Sequence, residues 1–497
     1  MKLIVKDMDI ATGDVLVAIL NQKDAAKMDL HALDRIKIKK GNKLETVVLD
    51  IAESEKAVPE GHIGVFEEII DSLNLKDKDI VEIIPARKPL SIDFIKKKLD
   101  GGTLDKKEID QIVWDIVHNK LDAIELTYFV SACYANRMTM KETALLTKAM
   151  SDIGEKLKLH RYPVMDKHCS GGVAGNRTTM IIVPIIAAAG LAIPKTSSRS
   201  ITSPAGTADT VEVLTNVNIP LPKMKKIVEK TNGCLVWGGA LNLAPADDKI
   251  IKVEKPLAID AKSQLLASVM AKKASVSATH VLIDIPYGKG SKILDKKSAL
   301  QLKKGFEELA KALGMIVKVI LTDGTQPIGN GIGPSLEARD VLWILRNDPR
   351  GPQDLRIKAL NMAGMMLEMG YKAKKGEGLK KASEIVNDGR AYKKFIEIIK
   401  AQGGKEIMPQ DIKIGEFAYT VLSPKQGVVK IVNNHSISKI ARIAGAPQNK
   451  GAGVYLYKHV GDKVNKDETL FTVYAESQRK LDYAVSAIKE FDGVVVV

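Results

Sequence analysis

Two polar stretches between residues 166 and 212 contain the side chains of an anion-binding site. The first reads Asp166-Lys167-His168-Cys169-Ser170-Gly171-Gly172, and the second, residues 197–212, reads SSRSITSPAGTADTVE. Glycine allows backbone N–H groups to approach a ligand closely, while hydroxyl, lysine and arginine groups donate hydrogen bonds to it. A hydrophobic run, residues 180–191, separates the two stretches. This composition predicts a receptacle for phosphate.

The two stretches differ in how strongly they favour a ligand. In the first, Lys167, Ser170 and the Gly171-Gly172 amides could surround one anion, but a glycine turn beside a surface lysine explains them equally well. The order Gly-x-x-x-x-Gly-Lys-Ser/Thr is absent from the chain, so a P-loop nucleoside triphosphatase is disfavoured. The second stretch favours a ligand more strongly, because a helix cap needs one polar side chain and this stretch has at least six. They include Ser197, Ser198, Arg199, Thr202, Ser203 and Thr207.

A predicted helix at residues 261–273 and one more loop add further polar groups. Gln264, Ser268 and Lys272 recur at intervals of four and form one polar stripe on that helix, with Asp260 at its N-terminal edge. An N-cap role for Asp260 and a solvated position for Lys272 are the simpler explanations of each residue alone. Residues 288–292, Gly-Lys-Gly-Ser-Lys, suit an anion or an ordinary turn.

His168 could act as a general acid or be an ordinary loop histidine. No histidine or cysteine pair has the spacing of metal ligands, so no metal is predicted. The chain also lacks a Gly-x-Ser-x-Gly nucleophile elbow. The candidate chemistry is therefore acid catalysis beside a bound anion.

The composition supports a folded protein with an anionic ligand. The chain has 497 residues, of which 45% are hydrophobic and 27% charged, so several folded domains are expected. Its formal charge of +15 favours an anionic partner, although the mixing of Lys with Glu and Asp also fits a solvated surface. Nucleic acid is not expected as the partner, because only 4% of residues are aromatic and the basic residues form no cluster.

The cysteines and the lengths of the apolar runs predict where in the cell the protein is located. Cys133, Cys169 and Cys234 are too widely spaced for a disulfide framework and favour a reducing cytoplasm. The N-terminus lacks the apolar core of a signal peptide, and no run is long enough to cross a bilayer. We therefore expect a cytoplasmic protein with no membrane partner.

The first half of the chain predicts a β-rich domain followed by a helical one. Strand-like runs at residues 2–5, 15–20, 35–38, 43–51 and 79–84, with one helix near 65–73, predict an N-terminal β-rich domain at 1–85. Residues 86–162 have helical periodicity and capping-box spacings at Asp105/Glu108 and Thr139/Glu142, which predict an all-α domain. Part of the 210–275 region is a candidate to join this domain.

The second half predicts an α/β domain and a small terminal domain. Strand candidates at 163–165, 192–195, 234–237, 281–285 and 315–321 alternate with helices, which predicts a central α/β domain at 163–410 with a mostly parallel sheet. The polar stretches follow these strands, so they should meet at the carboxyl edge of that sheet. Residues 411–497 return to strands and end in a helix, which indicates a C-terminal α+β domain. The fold class is thus multidomain α/β.

The motifs resemble those of the thymidine and pyrimidine-nucleoside phosphorylase family. Asp166-Lys167-His168-x-Ser170-Gly171-Gly172-Val173 resembles its phosphate loop, and residues 198–201 and 206–212 resemble its long signature, from which the Ser203-Pro204 region departs. The likeness covers roughly residues 90–480. The additional residues 1–85 and the loop 286–292 resemble the archaeal branch of the family, whose members phosphorolyse nucleoside 5′-monophosphates.

The resemblance implies two sets of binding residues. The first set would hold inorganic phosphate: Lys167, Ser170, Thr178, Ser197 and Thr207. The second set would surround the nucleotide: Gly172, Ser198, Arg199, Ser200, Ile201, Thr202, Ser203, Thr207, Ser268, Lys272 and Lys292.

The implied reaction is AMP plus phosphate giving adenine plus ribose 1,5-bisphosphate, with CMP and UMP as further substrates, in nucleotide degradation and salvage. Asp260 is the candidate acid that protonates the leaving base, because a carboxyl at a partly desolvated helix end can have a raised pKa. His168 is the second candidate. Inorganic phosphate is a co-substrate, and no cofactor is expected.

The sequence also leaves two other functions open. A pyrimidine-nucleoside phosphorylase would prefer uridine or thymidine to their 5′-phosphates, and an RNA-binding protein would use the basic surface. By resemblance, the helical domain is expected to form a homodimer surface, and residues 1–85 are candidates for larger assembly.

Overall fold

The computed structural model describes residues 1–13, 16–200, 203–257 and 261–497. The chain divides into two compact units. The first contains Met1–Ile153 and Ala244–Ser268, and the second contains Gly154–Leu243 and Val269–Val497. The segment Ala244–Ser268 thus belongs with the N-terminal part of the chain, although the central sheet flanks it in sequence.

The N-terminal part of the first unit is a closed six-stranded barrel with strand order β1-β5-β2-β4-β3-β6. Alternate side chains fill its interior, such as Ile36 and Ile38, which are fully buried. The strands are β1 Lys2–Asp7, β2 Val17–Asn21, β3 Arg35–Lys40, β4 Lys43–Ala52, β5 His62–Val65 and β6 Ile80–Pro85, and the helices are α1 Gln22–Lys27 and α2 Glu67–Leu73. Strand β5 and helix α1 were not predicted.

A helical bundle completes the first unit. Its helices are α3 Ser91–Leu99, α4 Lys106–Val117, α5 Ala123–Ala135, α6 Met140–Ile153 and α10 Pro245–Leu257. The reciprocal hydrogen bonds between Asp105 and Glu108 form the capping box of α4, as the spacing predicted. Thr139 and Glu142 form the equivalent bonds at the start of α6.

The second unit is built on parallel strands. These are β7 Met165–Cys169, β8 Ile193–Ser197, β9 Gly233–Trp237, β10 His280–Tyr287 and β11 Ile316–Asp323. Strands β11, β10 and β7 pair in parallel, as do β8 and β9, and a parallel bridge between Val164 and Ala192 links the two sets. The predicted strand at 163–165 is wrong in its bounds, because Asp166 to Cys169, expected in a loop, belong to β7.

Helices accompany these strands, and the buried apolar faces of several of them form one core. Helix α7 has no exposed residue in its first ten positions and lies in this core with α13, α14 and α16. The helices are α7 Thr178–Ala188, α8 Thr207–Val211, α9 Leu221–Thr231, α11 Lys262–Ser275, α12 Lys296–Leu313, α13 Pro334–Leu345, α14 Gln353–Met369, α15 Gly378–Asn387 and α16 Arg390–Ala401. Helix α11 begins in the first unit, which extends to Ser268.

The C-terminal part of the second unit is antiparallel, with helices packed on its sheets. Its two sheets have the strand orders β12-β15-β17-β13 and β16-β14-β18. The elements are β12 Gly331–Ile332, β13 Phe417–Leu422, β14 Gly427–Val432, α17 Asn434–Ile443, β15 Gly453–Leu456, β16 Lys463–Val464, β17 Thr469–Ala475, α18 Gln478–Glu490 and β18 Val494–Val496. The predicted fold class, multidomain α/β with a β-rich first domain, is confirmed. None of the described helices combines the length and apolarity that crossing a bilayer requires.

Candidate active site

Strand β7 and helix α7 bring together two of the predicted phosphate ligands. The Lys167 side chain, only 1% exposed, donates a hydrogen bond from Nζ to Thr178 Oγ1 over 3.0 Å. Thr178 in turn donates to Asn176 Oδ1 over 3.1 Å. Burial lowers the pKa of Lys167, because the charged ammonium group loses its hydration. A bound anion would offset this cost by stabilising the charge. The pair therefore has the character of an anion site at the start of a helix.

Two serine hydroxyls beside the strand ends have no hydrogen-bond partner among the described residues. They are Ser170 Oγ, one residue beyond β7, and Ser197 Oγ, on the last residue of β8. Both atoms are buried, and an unsatisfied buried hydroxyl costs roughly 1–3 kcal/mol. The N–H of Ser170 donates to the carbonyl oxygen of Asp284 over 2.9 Å, which fixes the loop while leaving the hydroxyl available. Both hydroxyls can bind a ligand.

A cluster of buried charges lies beside Lys167. Asp166 Oδ2 is 2.8 Å from Lys273 Nζ, and Asp166 Oδ1 is 3.7 Å from Lys195 Nζ. One carboxylate thus faces two ammonium groups. Burial, reinforced by the charge on Lys273, lowers the pKa of Lys195 to about 7. The cluster is electropositive, which favours an anionic ligand nearby.

His168 is neutral in this environment. Desolvation of the ring, with the charges on Lys273, Lys195, Lys167 and Lys272, lowers its pKa well below the ordinary value. At neutral pH the imidazole can exchange hydrogen bonds with a ligand, but it holds no extra proton to deliver. This weakens His168 as the acid and suits it to contact with an uncharged base.

The second polar stretch is held by its own acidic residues. Arg199 donates from its two terminal nitrogens to Glu212 over 2.7 and 2.6 Å, and Asp209 Oδ2 accepts from the N–H groups of Ser200 and Gly206 over 2.7 and 2.8 Å. Arg199, predicted as a nucleotide ligand, therefore uses its guanidinium to hold the loop in shape. The Arg199 hydrogen bond is the main reason that the pKa of Glu212 falls to about 2.

The shape of this loop requires a glycine. A Cβ atom on Gly206 would lie 2.5 Å from the Ser198 carbonyl oxygen. Within the loop, Ser200 Oγ donates to the Ser203 carbonyl oxygen, and Ser203 Oγ donates to the Ala205 carbonyl oxygen over 3.0 Å. The hydroxyls of Ser200 and Ser203 therefore stabilise the loop in the structure.

Arg177 links the two polar stretches and was not predicted. Its guanidinium donates to Thr207 Oγ1 over 3.0 Å and to the Ala205 carbonyl oxygen over 2.7 Å, and its Nε donates to the buried Glu337. Thr207, predicted to contact both phosphate and nucleotide, is thereby joined to the start of α7. The position of Arg177 immediately before Thr178, inside an anion-binding stretch, was the available signal.

The loop after β10 touches the loop after β7. Gly172 has φ +89°, and a Cβ atom there would lie 2.2 Å from the Lys292 backbone nitrogen. Gly172 and Lys292, predicted separately as nucleotide ligands, are therefore adjacent. Ser291 anchors the second loop by donating to the carbonyl oxygens of Gly288 and Ile293.

Helix α11 carries the remaining predicted nucleotide ligands, Ser268 and Lys272. Ser268 Oγ donates to Asp247 Oδ2 over 2.9 Å within the first unit. Gln264, one turn earlier, is buried, and neither its amide oxygen nor its amide nitrogen has a partner among the described residues. Ile201, Thr202 and Asp260 lie outside the described residues.

Comparison with known proteins identifies the family. The model "Glycosyl transferase family, helical bundle domain" matches residues 92–154, and "Glycosyl transferase family, a/b domain" matches residues 161–392. The "Pyrimidine nucleoside phosphorylase C-terminal domain" matches residues 428–491. The chain is also similar to the AMP phosphorylase of Pyrococcus furiosus, with 47% identity over 493 residues that cover 99% of this chain and 97% of that protein.

The chain belongs to the AMP phosphorylase family. This membership confirms the resemblance to the phosphorylase family inferred from the sequence motifs. A further relative of the family, from Legionella pneumophila (strain Corby) and provisionally named thymidine phosphorylase, is 42% identical over 463 residues, covering 93% of this chain and 89% of that protein.

The fold extends beyond the AMP phosphorylase family. The anthranilate phosphoribosyltransferase of Thermus thermophilus has 18% sequence identity to this chain and superimposes with a TM-score of 0.53 over 62% of this chain and 99% of its own. At that identity the likeness concerns the fold alone.

Proposed function

We propose that this protein catalyses the phosphorolysis of AMP, giving adenine and ribose 1,5-bisphosphate. Its 47% identity to an AMP phosphorylase over nearly the whole chain supports the reaction. The observation that carries the proposal is the contact between Gly172 and Lys292, because it joins a phosphate-binding loop to a second cationic loop. A nucleoside monophosphate and inorganic phosphate together present two phosphate groups around one ribose. Two adjacent loops that each carry a cationic residue fit that requirement.

In the proposed mechanism, Lys167, Thr178, Ser170 and Ser197 bind inorganic phosphate. One phosphate oxygen bonds to C1′ of the ribose as the bond from C1′ to the base nitrogen breaks, through an oxocarbenium-like transition state. The electron pair of the broken bond stays on the base, which takes up a proton. Positioning the two reactants contributes most of the acceleration, and the proton transfer adds roughly 10²- to 10⁴-fold.

Asp260 remains our candidate for the proton donor, with His168 contacting the base. The lowered pKa of His168 supports this division, because a neutral imidazole has no acidic proton to deliver to the leaving base. An Asp260→Asn variant should fold normally and lose turnover by roughly 10²- to 10⁴-fold. Unchanged turnover would remove Asp260 from this role.

The range of bases is a separate part of the proposal, which includes CMP and UMP as further substrates. The alternative is a pyrimidine-nucleoside phosphorylase, which the provisionally named Legionella relative favours. The test is to incubate the protein with phosphate and AMP, CMP, UMP, uridine or thymidine, and to measure the free base by chromatography. Release from the monophosphates alone supports the proposal, whereas release from uridine or thymidine alone supports the alternative. A Lys167→Ala variant serves as the inactive control.

The proposal also covers assembly, location and cofactors. We expect a homodimer or larger homo-oligomer, and light scattering after size-exclusion chromatography would measure its mass. We also expect the enzyme to remain active after dialysis against a chelator, with no cofactor added. A cytoplasmic location fits the three free cysteines, Cys133, Cys169 and Cys234, among the described residues.

A further inference from the structure

Asn434 is buried where three loops of the α/β domain meet, although it belongs to the C-terminal domain. It is the first residue of α17 and only 2% exposed. Its Oδ1 accepts a hydrogen bond from the Ala174 N–H over 3.2 Å, and its Nδ2 donates to the Gly324 carbonyl oxygen over 3.0 Å. A Cβ atom on Gly290 would lie 3.5 Å from Asn434 Cβ. One side chain therefore touches the loops that follow β7, β10 and β11.

These three loops also pack directly against one another. Gly172 meets the backbone of Lys292, and a Cβ atom on Gly175 would lie 2.2 Å from the Ile328 carbonyl oxygen. The Ile328 N–H donates to the Ala174 carbonyl oxygen over 3.0 Å, and the Gly324 N–H donates to the Tyr287 carbonyl oxygen over 2.9 Å. Such close backbone contacts leave little room for one loop to shift alone.

The C-terminal domain holds Asn434 firmly. Asn433 caps α17 by accepting from the N–H groups of His435 and Ser436. Ile437 and Ile440, on the same helix, are buried in the core of the C-terminal domain, and the Ala174 side chain is buried in that core with them. The loop after β7 is therefore attached to this domain by an apolar contact at Ala174 and by the Asn434 amide.

We propose that Asn434 is a positioning residue that sets the geometry of the loop after β7, residues 170–177, relative to the Lys292 loop. The inference rests on the proposed function, because that function assigns inorganic phosphate to Ser170 in the first loop and to Lys167 and Thr178 on either side of it, and the nucleotide phosphate to the second loop. Asn434 acts through the loop backbones rather than by touching a substrate. The C-terminal domain thereby contributes to substrate affinity.

The test compares Asn434→Asp with Asn433→Asp. The first change keeps the size of the side chain and its acceptor but removes the donor to Gly324, whereas the second makes the same charge change one residue away and preserves a helix cap. For Asn434→Asp, we expect the KM for phosphate to rise about tenfold with a smaller change in kcat, because misplaced binding groups weaken ground-state contacts. Asn433→Asp should match the wild type.

A phosphate titration separates positioning from a purely structural role. Inorganic phosphate raises the Tm of a protein that binds it only when folded, and Asn434→Asp should need about tenfold more phosphate for the same increase. A lower Tm with an unchanged phosphate dependence would overturn the inference. Asn434→Ser provides a second variant if Asn434→Asp does not fold, and a wild-type phosphate dependence in either variant counts against positioning. If the wild type releases no base from AMP, the proposed function fails, while the phosphate titration still tests Asn434.

Discussion

Lys273 Nζ lies 2.8 Å from Asp166 Oδ2, and both side chains are buried in the second unit. The same carboxylate lies 3.7 Å from Lys195, so it is shared between two cations. Asp166 also accepts from the Lys167 N–H over 2.7 Å. This shared carboxylate explains how strand β7 can carry charged residues inside the protein, because burying an unpaired charge is costly and burying a paired one is tolerated.

Replacing Asp166 should destabilise the fold. Asp166→Asn leaves the Lys195 and Lys273 ammonium groups without their counter-charge, and we expect the free energy of unfolding to fall by about 3 kcal/mol. Denaturant unfolding measures the change. Asp110→Asn, which breaks the exposed pair with Lys106, is the control and should change the free energy of unfolding far less. An equal decrease in the free energy of unfolding of the two variants would show that the buried ion pair contributes no more to stability than the exposed one.

The stability should depend on pH through Lys195. Burial lowers the pKa of this group to about 7 in the folded state, against 10.5 in the unfolded chain. Between these values the unfolded state holds a proton that the folded state has released, so the free energy of unfolding rises with pH. Relative to Lys195→Met, the wild type should gain up to about 1.4 kcal/mol per pH unit from pH 7 to pH 10. If the free energies of unfolding of the wild type and Lys195→Met differ by the same amount from pH 7 to pH 10, the lowered pKa of Lys195 is contradicted.

Two neighbouring glycines should respond differently to alanine. Gly171 and Gly172 have φ +87° and +89°, so Ala costs about 1–2 kcal/mol of backbone strain at either position. A Cβ atom at 171 meets no atom of the described residues within 4 Å, whereas one at 172 collides with the Lys292 backbone. Gly172→Ala should therefore lower kcat/KM for AMP at least tenfold more than Gly171→Ala. Similar kinetics for the two variants would mean that the contact with Lys292 does not matter for turnover.

Lys292→Ala should weaken the binding of AMP more than the binding of adenosine. If the Lys292 loop receives the 5′-phosphate, the KM for AMP should rise about tenfold, because a charge-assisted hydrogen bond is worth roughly 1.5–3 kcal/mol. The KM for adenosine should change little. Lys289→Ala, at an exposed position of the same loop, is the matched control. Equal losses with both substrates would remove Lys292 from recognition of the 5′-phosphate.

The sequence pointed to candidate binding residues, but it placed some of them in the wrong elements. Glycine, hydroxyl and cationic residues at close spacing predicted the anion-binding loops, because few other arrangements need that combination. The bounds of β7 were missed, since Asp166 and Lys167 read as loop residues. Their partners Lys195 and Lys273 are distant in sequence, and only the folded structure shows that the charges are paired.

Other features had no local signal at all. Strand β5 is short and contains Gly64, and a glycine weakens the sequence pattern of a strand. The structure explains the glycine, since a Cβ atom at this position would lie 3.0 Å from Val58 Cγ2. The contribution of Asn434 depends on a contact across 260 residues of sequence with Ala174. Periodicity and motif spacing report local structure, so contacts of this range lie beyond them.

The closed barrel of residues 1–85 limits how that domain can recruit another chain. Each of its six strands has a neighbour on both sides, so in the described part of the domain the ladder hydrogen bonds are already used within the barrel. Extension of a sheet by an incoming strand needs an open edge, which such closure removes. Recruitment through this domain therefore has to recognise side chains or loops, and substitution of a few surface residues should be enough to abolish it.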